Sequence, residues 1–318
     1  MTPKQAAEFL TLHDRYVILT HMRPDGDTIG CAAALCLALR QLGKEAHVLY
    51  NKQTTALFSP YLEELIAPED YQPDTVVSVD IAAAGLFPEN ARVYLDRVDL
   101  AIDHHPSQEF FARETCLEAD RAACGEIIYQ IIALLGPVTR EMATALYVAL
   151  STDCGCFVYG NTTAHTHRIA AELFDCGIDA AALNKRHFRT KSAKRMKLES
   201  MLIYGMELHD EGTIAIGAVT IEMMNSIQAT EEDAEDIAAL MGQLEGVKTA
   251  VTLRELSPTQ CKISMRTDPA DLNASKVCAL LGGGGHAAAS GATVNATVDE
   301  TRKIVMESIR RIQRAEED

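Results

Sequence analysis

The sequence predicts an α/β protein with two parts. A helix-covered, mainly parallel sheet occupies the N-terminal portion, and a smaller α/β domain follows a linker helix. Three observations carry this. Short apolar runs alternate with helical segments through the first 180 or so residues, the pattern of a parallel sheet. The stretch KRHFRTKSAKRMK (185–197) holds seven Lys or Arg and no acid, which breaks the composition. A second block with clean strand alternation begins at GTIAIGAVT (212–220). The 318 residues are too many for one typical small domain and comfortable for two.

In chain order, residues 4–14 read as an opening helix, and YVILT (16–20) as a buried strand ending at His21. A Gly-bearing turn, RPDGD, leads to a helix over 29–43 with Gly43 as its stop. AHVLY (46–50), TVVSVD (75–80) and VDLAID (98–103) are further strands, the last two ending in acids. Helices follow over 123–136, 140–151 and 166–177. The basic stretch continues as one helix to about Leu208. After the strand at 212–220, EEDAEDIAALMGQLEG (231–246) reads as an acid-led helix, favourable at the positive end of the helix dipole. Residues 248–256 and 260–267 pair as a hairpin. A helix from about 273 leads to GGGGH (282–286), and a last helix closes near 313.

Composition narrows the function. The hydrophobic fraction is 47%, enough for a core and incompatible with wholesale disorder. No run of about 18 uncharged apolar residues occurs, so no membrane span is expected. The N-terminus does not read as a secretory signal, which points to the cytoplasm. Nine cysteines, irregularly spaced and without a CxxC pair, read as reduced thiols, several of them in the core. Cys154 and Cys156 form a CxC beside Asp153, but no second pair completes a zinc site. The formal net charge of −16 disfavours a grip on long nucleic acid, which needs cations to displace counterions. A small anion drawn to concentrated positive charge is compatible with it. The segment 185–197 carries +7 of that balance, leaving −23 on the rest. It reads as a solvated helix face or as a device steering anions.

Several chemistry-bearing side chains fall at the carboxyl ends of the expected strands, where α/β sheets bind ligands. His21, Asp25 and Asp27 lie within seven residues of a turn in which Pro24 and Gly26 allow a sharp reversal. Asp80 ends the third strand, and Asp103, His104 and His105 end the fourth. Asp153 ends a helix. Each alone has an ordinary reading, as a turn, a helix cap or an exposed histidine. Together, His21, Asp25, Asp27, Asp80, His104 and Asp153 supply two imidazoles and four carboxylates. That set can hold two divalent ions such as Mn²⁺ if one carboxylate bridges. Ions about 3.5–4 Å apart can clamp both the attacking and leaving oxygens of a phosphoryl transfer. GGGGH is the second dense feature. Its glycines are expected in neither helix nor strand, and its amides suit phosphate oxygens. His286 and Arg266 stand beside it as candidate phosphate contacts.

HMRPDGDTIG, SVDIA, AIDHH and STDCG, in that order, resemble the four motifs of the DHH phosphoesterases. LGGGGHAAASG resembles the signature of the associated DHHA1 domain. The resemblance spans roughly 15–295, and NTTAHTHRIAAELFDCGID (161–179) is similar to the NrnA-type branch. That branch comprises oligoribonucleases of very short RNA (nanoRNases) that are also phosphatases of 3′-phosphoadenosine 5′-phosphate (pAp). The resemblance implies two Mn²⁺ ions, one on His21, Asp25 and Asp80, the other on Asp27, Asp80, His104 and Asp153. Asp80 would bridge them. Asp103 would orient the histidines, and His105 would contact the scissile phosphate. Arg266, Gly284, Gly285 and His286 would hold the far phosphate or terminal nucleotide.

The implied layout is a DHH catalytic domain over 1–184, a linker helix over 185–209 and a DHHA1 substrate-binding domain over 210–318. The active site would lie in the cleft between the domains. Short oligonucleotides or small nucleotide phosphates are the expected partners, with no long nucleic acid and no membrane; a homodimer is compatible with the sequence. The alternative activity is a phosphodiesterase of cyclic-dinucleotide turnover, acting on pApA or cyclic di-AMP. Three departures stand out. Cys31 replaces the usual Ser, and Gln108 replaces a frequent Asn. Cys156-Phe157-Val158-Tyr159 lacks the basic residue some relatives carry, which leaves one phosphate contact without a provider.

Overall fold

The computed structural model describes residues 1–234 and 237–317. They form two compact units, Met1–Thr190 and Lys191–Asp318. The first opens with α1 (Pro3–Leu12), whose Thr2 cap and Gln5 complete a capping box. It continues through β1 (Tyr16–Leu19), α2 (Gly26–Gln41), β2 (Ala46–Val48), β3 (Thr75–Val79), β4 (Leu100–Asp103) and β5 (Glu114–Leu117). Helices α3 (Cys124–Leu135), α4 (Arg140–Asp153), α5 (Ala164–Asp175) and α6 (Ala180–Asn184) complete it.

The five strands form a sheet in the order β2-β1-β3-β4-β5, parallel throughout. Successive strand residues serve opposite faces. Tyr16, Ile18, Val77 and Val79 join the large core under α1 to α4. Val17, Leu19 and Val76 join a smaller core with Ile81, Phe87 and Val98. Burial on both faces explains why the strands read as continuous apolar runs.

Helix α2 is buried nearly all round from Gly26 to Cys36, and its small residues let α4 approach closely. A Cβ on Gly30 would lie 2.3 Å from the Ala145 carbonyl oxygen, and one on Gly26 would lie 2.3 Å from Thr152 Oγ1. These contacts join the start of α2 to the end of α4, where Asp153 sits.

The single helix expected over 185–208 is instead interrupted. A π-helical turn covers Lys185–Arg189, and α7 (Ala193–Tyr204) begins after a break capped by Ser192. Leu198 and Leu202 bury α7 against Ala215 and Val219 of the second unit. That unit holds β6 (Glu207–His209), β7 (Ile214–Val219), α8 (Ile221–Ser226), β8 (Thr249–Ser257) and β9 (Gln260–Thr267). It ends with α9 (Ala274–Ala279), β10 (Gly284–Gly285), β11 (Ala289–Val294) and α10 (Val298–Glu317). Its sheet runs β10-β11-β9-β8-β7-β6, antiparallel except for β7 with β8.

Two expectations fail here. Among the described residues, 231–246 is not one helix but short 3₁₀ turns at Glu232–Ala234, Ile237–Ala239 and Met241–Gln243; residues 235 and 236 lie outside the described residues. Backbone bonds three residues apart, such as Leu240 N to Ile237 O at 3.2 Å, let Ile237 and Met241 join the core beneath Ala250. The glycine run also enters a strand. Gly284 and Gly285 pair with Gly291 and Ser290, and a Cβ on Gly283 would lie 2.1 Å from the Gly291 carbonyl oxygen. Close backbone packing therefore explains part of the glycine content.

Candidate metal centre and active site

In a sheet ordered 2-1-3-4-5, connections leave β1 and β3 in opposite directions, opening a crevice at their carboxyl ends. His21 follows β1 there, Asp80 follows β3, and Asp103-His104-His105 ends the neighbouring β4. Asp25 caps α2, accepting from the amides of Asp27 at 3.0 Å and Thr28 at 3.3 Å. Asp153 closes α4. Thus residues spread over more than 130 positions meet at one end of the sheet.

The contacts form two groups. His21 Nε2 lies 3.5 Å from Asp25 Oδ1 and 3.6 Å from Asp80 Oδ2. His104 Nε2 lies 3.6 Å from Asp80 Oδ1, 3.5 Å from Asp153 Oδ2 and 3.9 Å from Asp27 Oδ2. Asp80 Oδ2 therefore faces His21, while Oδ1 faces His104 and also His105, whose Nδ1 lies 3.4 Å away. Asp80 has a left-handed backbone, φ 58°, uncommon for a residue with a side chain and a form of strain found at functional sites. Both imidazoles turn Nδ1 to a backbone carbonyl, Met22 O at 2.9 Å and Arg121 O at 3.1 Å. That bond holds the proton on Nδ1 and leaves Nε2 available to serve as a ligand atom.

The surrounding groups fix the carboxylates. Asp27 is 1% exposed. It accepts from the Cys124 amide at 2.7 Å, the Gly125 amide at 2.9 Å and the Cys31 thiol at 3.2 Å. The first two donors are the N-terminus of α3, where anions are stabilised. Fully buried Asp103 accepts from the His104 amide at 2.7 Å and from Gln108 Nε2 at 2.5 Å. Its Oδ1 lies 2.8 Å from His105 Nδ1. Gln108 also donates to Ile81 O at 2.8 Å, tying the β3 and β4 exits together.

Electrostatics show what the cluster lacks. Burial, then neighbouring acids, pushes Asp27 and Asp153 well above the ordinary carboxylate range. Burial likewise lifts Asp80 to about 7, against the pull of His21. Burial opposes charge on His21, but bonds to Asp25 and Asp80 raise it to about 11. Burial and then His105 lower His104, favouring its neutral form. Asp80 Oδ1 and His104 Nε2 are buried without a hydrogen-bond partner. A crowd of acids with orphaned ligand atoms fits divalent cations. His21-Asp25-Asp80 and Asp27-His104-Asp153 each bring three ligand atoms within 4.8 Å of one another.

His105 is oriented differently. Burial opposes its charge, but the bond to Asp103 prevails and lifts it to about 9. The sequence reading missed Gln108 and the α3 amides as supports. The only signals were an amide residue shortly after AIDHH and a helix beginning at CGE. Cys154 and Cys156 form no candidate metal group among the described residues, and all nine cysteines are free.

In the second unit, Arg266 of β9 pairs in register with Ala289 of β11, and Gly285 of β10 with Ser290. Arg266, Gly284, Gly285 and His286 therefore share one corner of that sheet. Amides of the glycine run are partly committed internally, Gly283 N to Cys278 O at 2.9 Å and His286 N to Ala289 O at 2.8 Å. A Cβ on Gly284 would meet nothing within 4 Å, so packing does not require that glycine. No helix among the described residues is long and apolar enough to cross a membrane.

Two family models match the chain. The DHH family, N-terminal domain, covers residues 15–150, and the DHHA1 domain covers 216–313. The bifunctional oligoribonuclease and PAP phosphatase NrnA of Thermus thermophilus is 33% identical over 92% of this chain and 88% of its own. The Bacillus subtilis protein of the same name is 23% identical over 90% and 91%. An exopolyphosphatase-related protein of Bacteroides fragilis superposes with TM-score 0.89 at 22% identity, over 99% of this chain and 97% of that one.

Proposed function

The chain belongs to the DHH phosphoesterase family with a DHHA1 domain, and from that premise we propose a manganese-dependent hydrolase of short oligonucleotides (nanoRNA) and of pAp. The products would be mononucleotides and AMP. The observation that carries this is Asp80 between two ligand groups, with Oδ2 toward His21 and Oδ1 toward His104. His21, Asp25 and Asp80 would hold one ion, and Asp27, Asp80, His104 and Asp153 the other. The ions would supply Lewis-acid charge to the phosphoryl oxygens and bring the pKa of water toward neutrality.

The protein's own groups do the rest. Asp103 holds His105 Nδ1, so the other ring nitrogen is the one offered to the scissile phosphate. His105 there carries a proton in reach of the leaving oxygen, a general-acid role. Gln108 and the α3 amides keep Asp103 and Asp27 from turning. Residues 1–184 would be the catalytic domain, 185–209 the linker and 210–318 the substrate-binding domain. Arg266, Gly284, Gly285 and His286 would hold the distal phosphate or terminal nucleotide, limiting substrate length. The relatives' names support the substrate class, and a cytoplasmic location is consistent with it.

The test is a substrate panel with Mn²⁺: pAp, pApA, cyclic di-AMP, and RNA of two to about twenty nucleotides. Turnover of pAp and of the shortest RNAs is expected. A marked preference for the longest RNA would overturn the substrate assignment. Preference for pApA or cyclic di-AMP would move the activity to cyclic-dinucleotide turnover.

A further inference from the structure

Two members of the Asp27-His104-Asp153 group lean on one short stretch of backbone, Arg121 to Gly125. The Arg121 carbonyl accepts from His104 Nδ1 at 3.1 Å. The Cys124 and Gly125 amides donate to Asp27 at 2.7 and 2.9 Å. Ala123, the N-cap of α3, makes no side-chain cap bond, so Asp27 does from α2 what a capping residue does locally. The other group stands apart from this stretch. His21 turns Nδ1 to Met22 O, and Asp25 accepts from the Asp27 and Thr28 amides.

Asp153 reaches the same stretch through Asn161. Asn161 Nδ2 donates to Asp153 O at 3.1 Å and to Ala122 O at 2.9 Å. Both partners are carbonyls, so the amide can face them only with its two N–H bonds. The Asp153 carbonyl is among the last four of α4, which helix geometry leaves without an intrahelical partner. The intervening loop returns the chain to that point. Gly155, Cys156 and Phe157 are all left-handed, with φ 53°, 56° and 65°. The Val158 and Tyr159 amides then both bond back to Cys154 O, at 3.0 and 3.1 Å. Asn161 is exposed, so its two bonds, not its packing, are what the fold uses.

We propose that Asn161 is a positioning residue for the ion of the Asp27-His104-Asp153 group. By bridging Asp153 O and Ala122 O, it holds the end of α4 in register with the backbone that holds Asp27 and His104. It thereby sets the affinity of that ion and not of the ion on His21 and Asp25. The inference rests on the ligand assignment proposed above.

The test titrates Mn²⁺ into metal-free protein, followed by the EPR signal of free Mn²⁺, with melting temperatures of the metal-free samples read alongside. Wild type is compared with Asn161→Leu, Asn161→Ala, Asp153→Ala and Thr163→Ala. Asn161→Leu keeps the bulk and removes both donors. Wild type should bind two ions, and Asp153→Ala identifies which binding step belongs to the second group. Both Asn161 variants should weaken that step by about 10- to 100-fold, the range for losing an outer partner of a metal ligand, and leave the other step as in wild type. Thr163 caps α5, accepting from the His165 and Thr166 amides, and its bonds stay within the start of that helix. Thr163→Ala should lower the melting temperature and leave both steps unchanged. Equal weakening of both steps, or Mn²⁺ bound by Asn161→Leu as tightly as by wild type, would overturn the inference alone. So would the same selective loss in Thr163→Ala, because loosening the start of α5 would then suffice. A wild type that binds no Mn²⁺, or an Asp153→Ala as tight as wild type, would overturn the ligand assignment and the inference with it.

Discussion

Asp80 concentrates the contacts of the candidate centre in one side chain. Both its oxygens are committed to facing histidines, it is 3% exposed, and its backbone is left-handed. Asp80→Asn keeps the shape and removes the charge. It should cost more than the 10- to 100-fold typical of losing an outer partner of a metal ligand. It should also abolish thermal stabilisation by Mn²⁺; a variant still stabilised and active would show that Asp80 does not bridge. Gln108→Leu tests the support beneath. It strips Asp103 Oδ2 of a 2.5 Å donor, and a fall of about 10- to 100-fold in activity or Mn²⁺ affinity is expected, measured by titration and initial rates. The candidate acids and histidines were legible in the sequence because His21, Asp80 and Asp103-His104-His105 end apolar runs, Asp25 and Asp27 sit in a Gly-bearing turn, and Asp153 ends a helix. Gln108 was legible only as a departure from a motif, because its role depends on the Ile81 carbonyl reaching it from another strand.

Among elements, the α2–α4 contact sets the distance between Asp27 and Asp153. Gly30 has no room for a methyl group, so Gly30→Ala should destabilise the first unit by about 1–3 kcal/mol through overpacking. Its unfolding temperature should fall even without metal. The π-helical turn gives a second expectation. Burial, then Arg186, lowers His187 to about 4, below the ordinary 6.5. A depressed base stabilises the fold above its unfolded pKa and loses that contribution as pH falls through the folded value. The stability advantage of wild type over His187→Gln should therefore shrink between about pH 6.5 and 4, read by thermal melts across that range. The amphipathic and apolar runs announced α3, α4 and α5. The interruption at 190–192 and the 3₁₀ turns after Thr230 were hidden, because both depend on what the chain packs against. Leu198 and Leu202 are claimed by the second sheet, which the local sequence does not reveal.

For the whole molecule, two units with separate cores predict two unfolding transitions. Mn²⁺ should shift only the transition of Met1–Thr190, because every proposed ligand lies in that unit. At a hundred times the dissociation constant the gain is about 2.7 kcal/mol per independent site; calorimetry with and without EDTA reads it. A shift of the second transition alone would contradict the ligand assignment. The net charge of −16 fits this arrangement, since four of those acids are the proposed metal ligands. The sequence by itself determined the α/β class and the two-part division and singled out the candidate acids and imidazoles, since strand ends and helix starts are written in local pattern. Tertiary structure alone decided which histidine faces which oxygen, which amides hold Asp27, and which of the glycines are needed for packing. Those outcomes turn on differences of a few tenths of an ångström in contacts between residues about a hundred or more positions apart, and local sequence carries no measure of such differences.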